Sequence, residues 1–178
     1  MNQSNKLIGQ ERRKAIIKWL STEGKPLTGG DLAKKAGVSR QVIVQDISLL
    51  KAKNEPIIAT SQGYLYMSNQ TKTHSYQRIV ACKHTPEQTR AELECIVDHG
   101  VTVKDVIVEH PVYGDLRALI MVSDRHDVNQ FLDKITSTKS PYLSELMDGV
   151  HLHTLEAESE AKLNAAYHAL HQLGFIVE

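Results

Sequence analysis

Two imidazoles separated by one residue, His151-Leu152-His153, are the part of this chain best suited to chemistry. They sit within Gly149-Val150-His151-Leu152-His153-Thr154-Leu155, where apolar and polar residues alternate. A period of two is the pattern of a β-strand, and residues i and i+2 of a strand point to one face. The two rings therefore lie side by side on one sheet surface. Neighbouring imidazoles pack a core poorly but are a good start to a metal site. Taken alone, the pair is more simply a hydrogen-bonded pair on the polar face of a strand, and further donors are needed to make it a site.

His84 is the next candidate donor. It ends a predicted strand, Tyr76 to His84, immediately before Thr85-Pro86-Glu87-Gln88. Threonine as N-cap, proline at the first helical position and glutamine three residues after the cap predict a helix start there. Leu93, Ile96 and Val97 give that helix its buried stripe, and Gly100 ends it. A carboxylate from the same helix would offset the charge of an ion. Glu92 lies on one border of the stripe, with Glu87 and Glu94 near the other, and periodicity leaves the choice open. Three histidines and a carboxylate suit nickel, zinc, iron or manganese as the divalent ion. Cys82, on the same strand face as His84, is a competing donor, although a lone cysteine more often acts as a small buried hydrophobe.

The elements that must position these donors alternate along residues 75–178. Strands are predicted at 76–84, 101–109, 115–122 and around His151, and helices at 86–99, 127–135 and 158–173. The order β-α-β-β-α-β-α predicts an α+β, ferredoxin-like βαββαβ sandwich with an added helix. The Gly174–Val177 tail is a candidate edge strand.

The first 67 residues read differently. An amphipathic helix carrying Ile16, Ile17 and Leu20 is broken by Gly24-Lys25-Pro26. A short helix over Leu27–Ala36 stops at Gly37, and Ser39 N-caps a third helix from Arg40. Helix, short turn and helix form a helix-turn-helix, whose second helix enters the major groove. Two short β-rich runs, Ile57–Thr60 and Gly63–Tyr66, predict a hairpin wing. Ile43, Ile47 and Leu50 face the core. Ser39, Arg40, Gln41 and Gln45 fall at the start and outer face of the third helix, where long polar side chains reach phosphates and base edges. Residues 68–74 are polar and read as a linker.

Charge follows this division. The chain has 21 basic and 21 acidic side chains, but residues 1–70 carry a net +6 and the remainder a net −6. Only the first part is therefore expected to face nucleic acid. There is no CxxC among the two cysteines, no apolar run long enough to span a bilayer and no signal segment at Met1. These features predict a cytoplasmic protein with reduced thiols and no membrane partner.

Leu32-Ala33-Lys34-Lys35-Ala36-Gly37-Val38-Ser39-Arg40 and the helix that follows resemble the winged-helix domains of bacterial repressors. Cys-Lys-His-Thr at 82–85, Glu-His-Pro-Val-Tyr-Gly at 109–114 and Gly-Val-His-Leu-His-Thr at 149–154 resemble the three-histidine (3H) domain. Joined to a winged helix, that domain is similar to the niacin-responsive repressors of NAD biosynthesis and niacin uptake genes, and the resemblance spans essentially the whole chain. It implies a metal held by His84, Glu92, His151 and His153, a homodimer on double-stranded operator DNA, and nicotinic acid as co-repressor. His110 and Tyr113 lie in the remaining motif and are candidates to contact the aromatic acid, with Arg78 and Arg117 as candidate partners of its carboxylate. Two other readings compete. In one, metal occupancy itself is the signal. In the other, the metal activates water in a hydrolase, although only Glu109 and Asp115 stand by as general bases beyond the four donors.

Overall fold

The computed structural model describes residues 8–67 and 75–177. The linker read at 68–74 lies outside the described residues. The chain divides into two compact units, Met1–Gln70 and Thr71–Glu178.

The first unit is built from α1 (Gly9–Glu23), α2 (Gly29–Ala36), α3 (Arg40–Ala52), β1 (Ile57–Thr60) and β2 (Gly63–Tyr66). Thr28 caps α2 by accepting from the Asp31 N–H at 3.1 Å, and Ser39 caps α3 by accepting from Val42 N–H at 3.4 Å. Ile16 and Leu20 from α1, Leu32 and Ala36 from α2, and Ile43, Ile47 and Leu50 from α3 form one apolar core. Each large aliphatic side chain buried there stabilises the unit by about 1.5–3 kcal/mol. β1 and β2 pair antiparallel as the predicted wing, and Leu27 adds a bridge through its N–H and carbonyl to Tyr64 at 2.9 and 2.8 Å. Glycine is required where these strands meet, since a Cβ on Gly63 would sit 2.4 Å from the Leu27 carbonyl oxygen.

In the second unit, β3 (Tyr76–Lys83), β4 (Thr102–His110), β5 (Gly114–Val122) and β6 (Val150–Ala157) form one antiparallel sheet. α4 (Thr89–Asp98), α5 (Arg125–Thr138) and α6 (Glu160–Gln172) pack against it. The β-α-β-β-α-β-α order is the one predicted. The spatial order of strands is β3-β6-β4-β5. In the ferredoxin arrangement the second and fourth strands lie at the edges; here the first and third do. This order makes β6 a central strand, hydrogen-bonded to β3 on one side and β4 on the other. The tail covers the outer edge of β3: Lys83 N–H donates to Phe175 at 2.8 Å and Val177 N–H to Ala81 at 2.9 Å.

Alternation along the strands sends Val80, Cys82, Leu155, Val103, Val122 and Ile120 into a core shared with Leu93, Ile96, Leu163 and Leu170 of the helices. One element was not anticipated from the sequence. A short 3-10 turn, Leu143–Met147, follows α5 and lies against β4 and β6. The proline-led start of the first helix is likewise a 3-10 turn, Pro86–Gln88, with Thr85 N–H donating to the Gln88 side chain at 3.0 Å.

Candidate functional site

The register of β3 against β6 sets Cys82 opposite His151 and Val80 opposite His153. Directly opposed residues share a face, so both histidines of β6 and the line Val80–Cys82–His84 point to the helices. Glu92, on the first turn of α4, meets them there. His84 Nε2 lies 2.7 Å and His153 Nε2 3.3 Å from Glu92 Oε2, while His151 Nε2 lies 3.2 Å from Oε1. All four side chains are almost wholly buried, Glu92 at 1 % exposure. The structure therefore brings together the four residues named from the resemblance. It also separates the three acidic candidates of α4, since Glu87 is exposed and Glu94 pairs with Arg90 and Arg125.

The second nitrogen of each ring decides what the cluster can do. His84 Nδ1 contacts the Thr85 carbonyl at 2.8 Å, His151 Nδ1 the Gly149 carbonyl at 2.8 Å and His153 Nδ1 the Asp105 carbonyl at 2.5 Å. A carbonyl only accepts, so each Nδ1 carries the proton and donates it. Each Nε2 then presents either a lone pair or a second proton to Glu92. Three lone pairs against a carboxylate repel, and three imidazoliums around one carboxylate bury an excess of positive charge. A divalent cation between the four groups resolves both problems, and a backbone acceptor on the far nitrogen is how metal-bound histidines are commonly oriented. Donor atoms about 2.1 Å from a tetrahedral ion stand roughly 3.4 Å apart, close to the separations of His151 and His153 from Glu92. Imidazole nitrogens and a carboxylate oxygen are donors that a transition metal takes.

Without an ion, Glu92 and the rings of His84 and His153 favour one another's charged forms. Burial would push the Glu92 carboxyl up, but the charge of His153 and hydrogen bonds with the three rings hold it well below the usual carboxylate range. Burial opposes protonation of His84 and His153, yet Glu92 raises both above the ordinary imidazole value. Among the described residues, Cys82, Glu92 and His151 are the group whose ligand atoms all lie within 4.8 Å of one another, so the structure keeps Cys82 at the site as the competing donor. Burial, followed by the Glu92 charge, drives the pKa of its thiol far up.

Several residues the sequence reading passed over support this arrangement. Gly149 has φ +86°, and a Cβ there would lie 2.3 Å from the His84 carbonyl oxygen. Only glycine allows the two histidine-bearing segments to approach so closely, and its place beside the His-x-His pair was the available signal. Asp105, fully buried, orients His153 with its carbonyl, accepts from Thr154 N–H at 2.8 Å with its carboxylate, and pairs with Arg117. The register shift in β4 at Val103/Asp105 accompanies it. Beside the cluster is a cavity of about 30 Å³ whose walls include Thr89, Val106, Ile120, Phe131, Tyr142 and Ser144. No sequence pattern pointed to these residues together, because they come from four helices and strands, the 3-10 turn itself and Tyr142 just before it.

The four residues expected to contact an aromatic acid are elsewhere. Arg78 stacks on Tyr167 at 3.8 Å and donates to Asn164. Arg117 is taken by Asp105. His110 and Tyr113 form the β4–β5 turn, where His110 Nδ1 accepts from the N–H groups of Val112 and Tyr113, and Tyr113 is 75 % exposed. None of the four lines the cavity. The motif there reads instead as a tight turn closed by the histidine.

On the first unit, Ser39, Arg40, Gln41 and Gln45 are all exposed along α3, while Ile43, Asp46, Ile47 and Leu50 are buried. The same helix thus packs with one face and leaves a polar one outward, as a recognition helix must.

A winged helix-turn-helix joined in one chain to a domain with a buried His-carboxylate cluster defines a two-domain DNA-binding regulator. Residues 77–178 match the 3H domain family, and residues 12–65 match a helix-turn-helix (HTH) domain family. The transcription repressor NadR of Bacillus subtilis (strain 168) is 58 % identical over 179 residues, covering all of this chain and 99 % of that protein. The probable transcription repressor NiaR of Thermotoga maritima is 41 % identical over 173 residues, 97 % of each chain. The chain belongs to the 3H-domain family and is a transcriptional repressor rather than an enzyme. Among the described residues no helix is long and apolar enough to cross a membrane.

Proposed function

We propose that this repressor is a homodimer that uses nicotinic acid as co-repressor and controls genes of NAD biosynthesis and niacin uptake. The effector would bind beside a divalent transition metal (nickel, zinc, iron or manganese) held by His84, Glu92, His151 and His153. One observation carries the reading: three imidazoles, each with Nδ1 donated to a carbonyl, converge through Nε2 on a buried carboxylate beside a cavity. The metal would supply a Lewis-acidic anchor for a carboxylate. The aromatic side chains of Phe131 and Tyr142, with ring centroids 6.4 Å apart, would offer apolar walls to a flat ring.

Ser39, Arg40, Gln41 and Gln45 are assigned to double-stranded operator DNA. A single α3 carries few cations, so two copies reading half-sites one or more helical turns apart supply the affinity. Nicotinic acid acts as co-repressor if it binds the DNA-competent dimer more tightly than other arrangements, typically a coupling of about 1–3 kcal/mol. The test is operator binding at fixed salt with metal-quantified protein, titrated with nicotinic acid, nicotinamide and NAD. The reading predicts that affinity rises with nicotinic acid, about 5- to 150-fold for that coupling, and that metal alone is insufficient. Full affinity on adding metal alone would instead make metal occupancy the signal.

A further inference from the structure

Thr89 is buried at 7 % exposure, and its Oγ1 is the buried side-chain polar atom that has no hydrogen-bond partner among the described residues. A buried hydroxyl without a partner destabilises a fold, and such groups are rare. Its position makes the omission informative. Thr89 begins α4, three residues before Glu92, and lines the same cavity as His84, His151 and His153. The other named walls of that cavity are mostly apolar, with Leu93, Val106, Ile120 and Phe131 among them. The space thus has the His-carboxylate cluster at one end, largely apolar sides and, at Thr89, a buried hydroxyl without a partner.

We propose that Thr89 is a specificity-determining residue of this pocket, its hydroxyl donating to the ring nitrogen of a bound pyridine carboxylate. The proposal rests on the effector reading above. A planar aromatic acid of this class has two polar ends. The carboxylate is the natural ligand for the metal, which leaves the ring nitrogen as an acceptor without a partner. The pocket wall offers Thr89 Oγ1, a fully buried hydroxyl without a partner, and the two needs match. The cavity of about 30 Å³ has room for about one water. A ring enters only if a wall gives way, and the half-buried Tyr142 and Leu143 beside the Leu143–Met147 turn are among the residues that would have to move.

Calorimetric titration of the metal-loaded full chain tests this with two ligands and two variants. Nicotinic acid and benzoic acid share the carboxylate and the ring plane and differ at the nitrogen. Wild-type protein is expected to bind nicotinic acid about tenfold more tightly than benzoic acid, the size of one net hydrogen bond. Thr89→Val removes the hydroxyl at nearly constant shape. It is expected to lower nicotinic acid affinity to the benzoic acid level, leave benzoic acid affinity and metal content unchanged, and not lower the melting temperature. Thr89→Ser retains the hydroxyl and should keep most of the preference. Equal affinity of the wild type for both acids overturns the proposal without any variant. So does unchanged nicotinic acid binding by Thr89→Val, or loss of the preference in Thr89→Ser. Failure of the metal-loaded wild type to bind nicotinic acid at all is a different result, which refutes the effector reading itself.

Discussion

Two carboxylates, one in each unit, are equally buried and neutralised in opposite ways. Asp46 of α3, 2 % exposed, accepts from Arg12 Nε at 2.5 Å and Arg13 Nη1 at 3.1 Å. Glu92 of α4, 1 % exposed, faces three imidazole nitrogens at 2.7–3.3 Å. A guanidinium is permanently charged, so the Asp46 group is complete as it stands and ties α1 to α3. An imidazole is charged only when protonated, so the balance at Glu92 depends on what else is bound. The first pairing holds its charge whatever the conditions, and the second varies with the protonation of its partners. Burial alone does not separate them; the conditional charge of the partners does.

Breaking the permanent pair should have the largest effect. Asp46→Ala leaves two arginines without their buried partner and should cost about 3–5 kcal/mol, measured by denaturant unfolding, with no dependence on chelator. If chelator changed that loss, the two clusters would not be independent. Metal removal should act on the other side of the comparison. Chelation is expected to lower the stability of the second unit by about 2.7 kcal/mol from a state loaded at a hundredfold excess over the dissociation constant. Amide exchange should show the loss in β3, β6 and α4, with α1–α3 unaffected.

Gly149→Ala sharpens the comparison further, because it forces a Cβ against the His84 carbonyl at a left-handed φ. Metal affinity should fall about 10- to 100-fold, as when a ligand's supporting contact is lost, while operator contacts of the first unit remain. On the DNA side, Arg40→Ala should weaken operator binding about tenfold, leaving metal content unchanged. An unchanged dissociation constant would remove Arg40 from the interface.

The smallest effect expected is a pH dependence of opposite sign with and without metal. In chelated protein, burial opposes the charge on His84 and His153 but Glu92 raises their pKa, so their stabilisation is whole below the unfolded imidazole value and is lost as pH rises through the folded one. Glu92, held low against its burial by His153 and the three hydrogen bonds, stabilises above the unfolded carboxylate value and loses that contribution only as pH falls through its depressed folded one. The chelated second unit should therefore weaken as pH is raised past neutrality. Metal binding requires unprotonated rings and strengthens over the same range. Unfolding curves collected from about pH 6 to about pH 9 should diverge, and parallel curves would mean the rings do not carry the conditional charge.

Local order determined much of this protein by sequence alone. The cap Ser39, the breaks at Gly24 and Gly37, and apolar periodicity specify the helix-turn-helix because helix ends and amphipathic faces are properties of neighbouring residues, while the cap at Thr28, inside the helix read from Leu27, emerged only in the structure. The paired faces of His151 and His153 follow from the two-residue repeat of a strand in the same way. Tertiary structure decided what periodicity left open. It buried Glu92 and left Glu87 outside, since both border the same stripe and only the docking of α4 on the sheet distinguishes them. It placed β6 between β3 and β4, put Arg117 on Asp105 rather than on a ligand, and brought Thr89, Phe131, Tyr142 and Ser144 around one cavity. Those residues are distant along the chain, and no local pattern encodes a contact whose existence depends on how separate elements pack.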